Sequence, residues 1–284
     1  HNFDVVFLDE IMTGLDGLST LEEIKRINPT LPVVMITKSE EEGVMNEAIG
    51  KEITDYLIKP VNPLQILSAL KKIFEQPKLV EERITRDYPM EYQRMYSDLL
   101  SVSTPQGWKA IAHWIAEWDV ILDQHPELEL EDTHRDFRRE ANNSFGTFVE
   151  RNYLDWLKNP KDLPLSPAIP QLYLFPHLRE NKRVFYVVVD CMRYDQWLTV
   201  IPFLKEYYDI STDLYFSLIP TATAYSRNAL FCGCFPLELS EKHPELWRET
   251  TEGSGSQNRL EHQLLDQHLL LSGMRPQGDT RYVK

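Results

Sequence analysis

The chain has 284 residues, 42% hydrophobic and 26% charged, with a formal net charge of −14. That length can bury more than one core, and that acidity excludes a protein that coats duplex DNA by counterion release, which needs clustered Lys and Arg. No apolar run approaches the roughly 20 residues of a membrane span and no signal peptide is visible. The cysteines Cys191, Cys232 and Cys234 form no disulfide-scaffold spacing and fit a reducing, cytoplasmic setting. Cys232 and Cys234 alone are too tightly spaced for a zinc site.

From the start of the chain, short apolar runs alternate with helical periodicity. "DVVFLD", "LPVVMIT" and "DYLIKP" read as buried parallel strands. "GLSTLEEIKRIN" places Leu18, Leu21 and Ile24 on one helical face. "EEEGVMNEAIG" and "NPLQILSALKKIF" read as further helices. This alternation favours a doubly wound sheet, whose working residues sit at the C-terminal strand ends. Asp9, Thr37 and Lys59 occupy those ends.

Strand signals vanish from about residue 80. Thr104 and Pro105 open a helix as N-cap and first helical residue. Trp108, Ile111, Ile115, Trp118 and Leu122 follow at spacings of three or four. Phe137, Ala141, Phe145, Phe148, Tyr153 and Trp156 mark another helix, and a bundle of three helices is predicted. Its aromatics read as core rather than as a ligand-stacking surface, and His113 and His134 as surface or core residues. A Pro-rich connector, "NPKDLPLSPAIPQLYLFPHL", leads into the last region.

In that region Arg183 to Val189 read as a buried strand ending in Asp190, a carboxylate placed like a metal ligand. A helix follows, and then "DLYFSLIP" as a second strand. "PTAT" comes next, with two hydroxyls, Thr221 and Thr223, ahead of "AYSRNALF". Each Thr can be read as a helix cap or as a nucleophile. Arg193 either faces a substrate or pairs with an acid. "TTEGSGSQN" reads as a mobile surface loop.

"FLDEIMTGLDG", "VVMITKSEEE" and "DYLIKPVNP" together resemble the receiver domain of two-component response regulators. The resemblance implies that Asp9 accepts a phosphoryl group from a sensor histidine kinase with Mg²⁺, that Thr37 and Lys59 bond it, and that the Lys59–Pro60 bond is cis. Thr13 stands where such domains usually carry Pro. Asp190 with Arg193, then "PTAT" before a helix with Gly233 and Pro236, resembles the PglZ branch of the alkaline phosphatase superfamily. That resemblance implies Zn²⁺, held in part by Asp190 and Thr223, and makes Thr223 rather than Thr221 the nucleophile. Arg227 and Asn228 become candidate phosphate donors.

The order of parts resembles the PorX-like response regulators of type IX secretion and gliding. The predicted fold is α/β. It comprises a truncated flavodoxin-like receiver domain (1–76), an all-α three-helix-bundle linker (77–160) and the first part of an alkaline-phosphatase-like α/β domain (161–284). The expected acidic Mg²⁺ pair would lie upstream of His1. The remaining zinc ligands would lie beyond Lys284, because His243, His262 and His268 lack the expected Asp-His context. A fragment of this kind is expected to be inactive alone. The implied function is a phosphorylation-controlled, zinc-dependent phosphodiesterase acting on an oligonucleotide or other phosphoester, with a homodimer on phosphorylation as a further expectation. The rival is a non-catalytic scaffold that docks a sigma factor or secretion component.

Overall fold

The structure, a computed structural model, describes residues 3–38, 53–160, 163–247, 258–274 and 281–283. The chain divides into two units, His1–Tyr92 and Gln93–Lys284. The expected helix at 40–50, and all of "TTEGSGSQN" except Asn258, lie outside the described residues.

The first unit is built on a parallel sheet of β1 (Val6–Asp9), β2 (Val33–Thr37) and β3 (Asp55–Ile58), in the order β1-β2-β3. Val6 pairs with Val33 and Val34 with Asp55 at the starts of the two ladders. The central strand β2 carries the apolar run VVMIT because both of its faces are covered. Its side chains alternate. Val33 and Met35 pack with Leu8 and Leu21, and α1 (Gly17–Ile27) supplies Leu21 to that layer. Val34 packs with Leu57 and Ala69, the latter from α2 (Pro63–Phe74). Full burial of a side chain such as Leu21 stabilises the fold by about 2 kcal/mol.

Both helices start where their sequences direct. The Asp16 carboxylate accepts the Ser19 N–H at 2.7 Å. Asn62 and Gln65 form a reciprocal capping box ahead of Pro63. Gly17 is required at the first of these starts: a Cβ there would lie 2.5 Å from the Asp9 carbonyl oxygen. The close approach brings the start of α1 against the end of β1, beside Asp9.

Helix α3 (Gln76–Ser101) runs through Pro89 and across the boundary between the units. In the second unit α4 (Pro105–Asp123) begins at the Thr104 cap, and α5 (Glu131–Lys158) packs on it. The aromatics are core. Trp114 meets Phe137 edge-on at 4.9 Å and Trp108 meets Phe145 at 5.1 Å. His134 is buried among them, with Nε2 3.1 Å from both the Ile115 carbonyl and Asp119. His113 lies nearer the surface, between Tyr194 and Glu117.

The rest of this unit holds α6 (Phe175–Arg179), α7 (Tyr194–Leu204), α8 (Thr223–Cys232), α9 (Pro236–Lys242) and α10 (Glu261–Leu271). Here the structure departs from the sequence reading. Arg183–Val189 does not pair as a strand among the described residues, and neither does the stretch from Asp213 to Pro220. Tyr186 and Val188 do pack against the buried cluster of Phe231, Leu239 and Leu264, while Val187 between them is 75% exposed. The side-chain alternation of a strand is present. No described neighbour takes up its backbone N–H and C=O groups, and without a ladder an extended run is not a strand. The second stretch has one bridge, Leu165 to Phe216.

Candidate functional sites

Parallel register brings the ends of β1, β2 and β3 side by side. The Glu10 N–H bonds the Ile36 carbonyl at 2.9 Å and the Lys59 N–H bonds the Thr37 carbonyl at 2.7 Å. Asp9 and Lys59 therefore meet directly, Nζ on Oδ2, as an ion pair. The other Asp9 oxygen accepts the Ile11 N–H at 3.2 Å. The Lys59 hydrogen bond, helped by that of Ile11, holds the Asp9 carboxyl below its ordinary pKa. Thr37 is buried and donates its hydroxyl to the carboxylate of Glu10, the neighbour of Asp9. The Lys59–Pro60 bond is cis. Glu10 is a member of this cluster that the sequence reading did not single out. Its signal was adjacency to Asp9 at a strand end.

The second cluster forms where α8 begins. Its N-cap is Ala222, without a side-chain cap bond, and Thr223 is the first helical residue. The reading of Thr223 as an N-cap is thereby excluded. Thr223 is half-buried and Thr221 exposed. Arg227 lies four residues after Thr223, so the two share a helix face. Its guanidinium spans two acids: Nη1 reaches Asp190 Oδ2 at 3.3 Å, Nη2 donates to Glu261 Oε2 at 2.8 Å, and Nε lies 2.6 Å from Glu261 Oε1. Burial works against the charged guanidinium, but the Glu261 and Asp190 carboxylates together outweigh it, and Arg227 sits above its ordinary pKa.

Glu261 is fully buried and also accepts the Tyr282 hydroxyl at 2.5 Å. The sequence reading missed it because one acid at the start of a helix looks like any other. Only tertiary contact sets it against Arg227.

Asn228 is turned into the protein. It is 3% exposed, and its side-chain oxygen accepts from Asn258 Nδ2 at 2.9 Å. The same Nδ2 lies 3.1 Å from the Thr223 carbonyl. A buried amide engaged in this way braces the helix start. Arg193 pairs with Asp195 of its own helix, Nε at 2.9 Å and Nη2 at 2.6 Å.

Among the described residues no group of three His, Cys, Asp or Glu side chains converges as a metal site. Asp190 spends one oxygen on Arg227 and the other on the Cys191 N–H at 3.0 Å. His243 meets Gln267, and His268 is buried behind Gly233 with Nδ1 on the Phe231 carbonyl at 3.2 Å. Asp190 and the Thr223 hydroxyl are thus at most part of a donor set, and the described residues do not complete one.

Residues 1–71 match the response regulator receiver domain. Residues 78–157 match the PorX response regulator linker domain, and residues 170–281 the BREX system PglZ alkaline phosphatase-like domain. These matches define the class: a response regulator with a receiver domain, a helical linker and an alkaline phosphatase-like domain. In that order they match a PorX-like response regulator. Receiver and alkaline phosphatase-like domains generally use divalent metals, and a receiver domain implies a histidine kinase partner.

The chain is 35% identical over 83 residues to the transcriptional regulatory protein ZraR of Klebsiella oxytoca, covering 29% of this chain and 19% of that one. It is 35% identical over 69 residues to the chemotaxis protein CheY of Listeria monocytogenes, covering 24% and 58%. The receiver domain of NtrX from Brucella abortus is similar at 35% identity, with 25% of this chain and 62% of that chain covered and a TM-score of 0.24. The chain therefore spans less than two thirds of the length of these relatives. No helix among the described residues is long and apolar enough to cross a membrane.

Proposed function

We propose that phosphorylation of Asp9 by a sensor histidine kinase controls a zinc-dependent phosphodiesterase in the alkaline phosphatase-like region, in a cytoplasmic regulator of type IX secretion and gliding. The domains would be 1–76, 77–160 and 161–284. In the receiver, the ionised Asp9 carboxylate is the phosphoryl acceptor. Lys59, already against it, would move onto the phosphoryl oxygens, and the Thr37 hydroxyl would leave Glu10 to join it. Mg²⁺ would take oxygen donors there, Asp9 among them.

The observation that carries the hydrolytic reading is the face shared by Thr223 and Arg227 at the start of α8, with Arg227 braced by buried Glu261. Thr223 Oγ would attack phosphorus while the ester P–O bond breaks, and water would then release the phosphoryl group from Thr223. Arg227 and the free N–H groups of the first helical turn would oppose the negative charge on phosphorus. A bound Zn²⁺ lowers the pKa of a coordinated hydroxyl, and Asp190 and Thr223 are proposed as two of its donors.

The full-length protein, assayed with zinc on short RNA and on an aryl phosphodiester, tests this reading. Turnover should vanish in Thr223→Ala. Hydrolysis that survives this change removes Thr223 as nucleophile. Absence of any turnover in the intact protein supports the phosphorylation-dependent scaffold instead.

A further inference from the structure

We propose that Tyr153, on linker helix α5, is a positioning residue for the loop that presents Thr223. The proposal rests on the reading of Thr223 as nucleophile. The Tyr153 hydroxyl accepts the Ile219 N–H at 2.7 Å and donates to the Ile219 carbonyl at 3.1 Å. One side chain thus satisfies both backbone groups of one residue, a task that a neighbouring strand performs in a sheet. Only Pro220, Thr221 and Ala222 separate Ile219 from Thr223.

The residues just before Ile219 are held from the same side. Phe216 packs on Trp156 at 5.4 Å and on Phe145 at 5.9 Å, both from α5. The Leu218 N–H donates to Ser166 Oγ at 3.0 Å. The run from Phe216 to Ile219 was expected to be a strand. It is instead fixed largely by side chains of the linker helix, so the approach to the nucleophile is set by the linker. Small displacements of a reacting group cost turnover far more than binding when the group must lie in line with its target.

Tyr153→Phe removes the hydroxyl and keeps the ring. In the full-length protein with zinc and an aryl phosphodiester, kcat should fall by about tenfold or more while KM stays within about twofold. Hydrogen exchange provides a reading independent of turnover: the Ile219 amide should exchange on the order of tenfold faster, with α5 protected as in the unchanged protein. Unchanged exchange at Ile219 overturns the proposal whatever the turnover. Faster exchange with unchanged kcat, in a protein that Thr223→Ala inactivates, overturns it as well. If Thr223→Ala stays active, the nucleophile assignment has failed and this proposal falls with it.

Discussion

Glu261 offers the sharpest test of how the second cluster is held. Its side chain is fully buried, whereas that of Arg227 is 20% exposed. Removing one partner of a buried ion pair costs about 3–5 kcal/mol, because the other charge is left without compensation. Partial access of water to Arg227, and the Asp190 carboxylate that stays 3.3 Å from its Nη1, put Glu261→Ala at the lower end, about 3 kcal/mol. With a urea dependence of about 2 kcal/mol per molar, the unfolding midpoint of the second unit should drop by about 1.5 M. Glu261→Gln keeps the volume but loses the charge, and should cost about 2 kcal/mol.

Replacing both partners, Arg227→Met with Glu261→Leu, removes the stranded charge along with the pair. This double variant should regain at least half of the lost stability while hydrolysis falls, since the Arg227 guanidinium no longer faces the phosphoryl group. A midpoint shift below about 0.5 M in Glu261→Ala would refute the reasoning. So would a double variant no more stable than the single one, since uncompensated burial of charge could not then be the cause.

Three further outcomes follow from other parts of the structure. Gly233 ends α8 at φ +65°, and a Cβ there would lie 2.1 Å from the His268 ring, so Gly233→Ala should cost about 3 kcal/mol in chemical denaturation. Burial holds the His134 pKa below its ordinary 6.5, against the weaker pull of the Ile115 carbonyl. The unfolded chain therefore binds a proton that the fold refuses. Stability should be full above about pH 6.5 and decline below it until the folded-state pKa is passed, and His134→Gln should flatten that decline in unfolding curves taken across pH. In the receiver unit, Lys59→Met removes the main cause of the lowered Asp9 pKa, so the carboxyl should titrate nearer its ordinary 3.8 by NMR. An unmoved titration would show that the ion pair does not form in solution.

Much was legible in the sequence where the physics is local. The continuous apolar run of β2 and the period-3.6 patterns of α1 and α2 marked a buried sheet covered by helices, because a strand covered on both faces is apolar throughout while a helix is apolar only on the face that its spacing dictates. Thr104 before Pro105 marked a helix start, since capping needs only neighbouring residues. Asp9, Thr37 and Lys59 were identifiable as a group because parallel strands in register align their ends. Asp190 and Thr223 were locatable from the runs before them, although those runs do not pair as strands among the described residues.

The tertiary structure decided what depends on distant partners. It made Ala222 the cap and Thr223 the first helical residue, and it turned Asn228 inward onto Asn258. It set Glu261 behind Arg227, and it gave the backbone of Ile219 to the hydroxyl of Tyr153. None of these has a sequence signal, because a buried carboxylate or a bridging phenol is defined by the group it meets. That meeting exists only once helices far apart in the chain have packed.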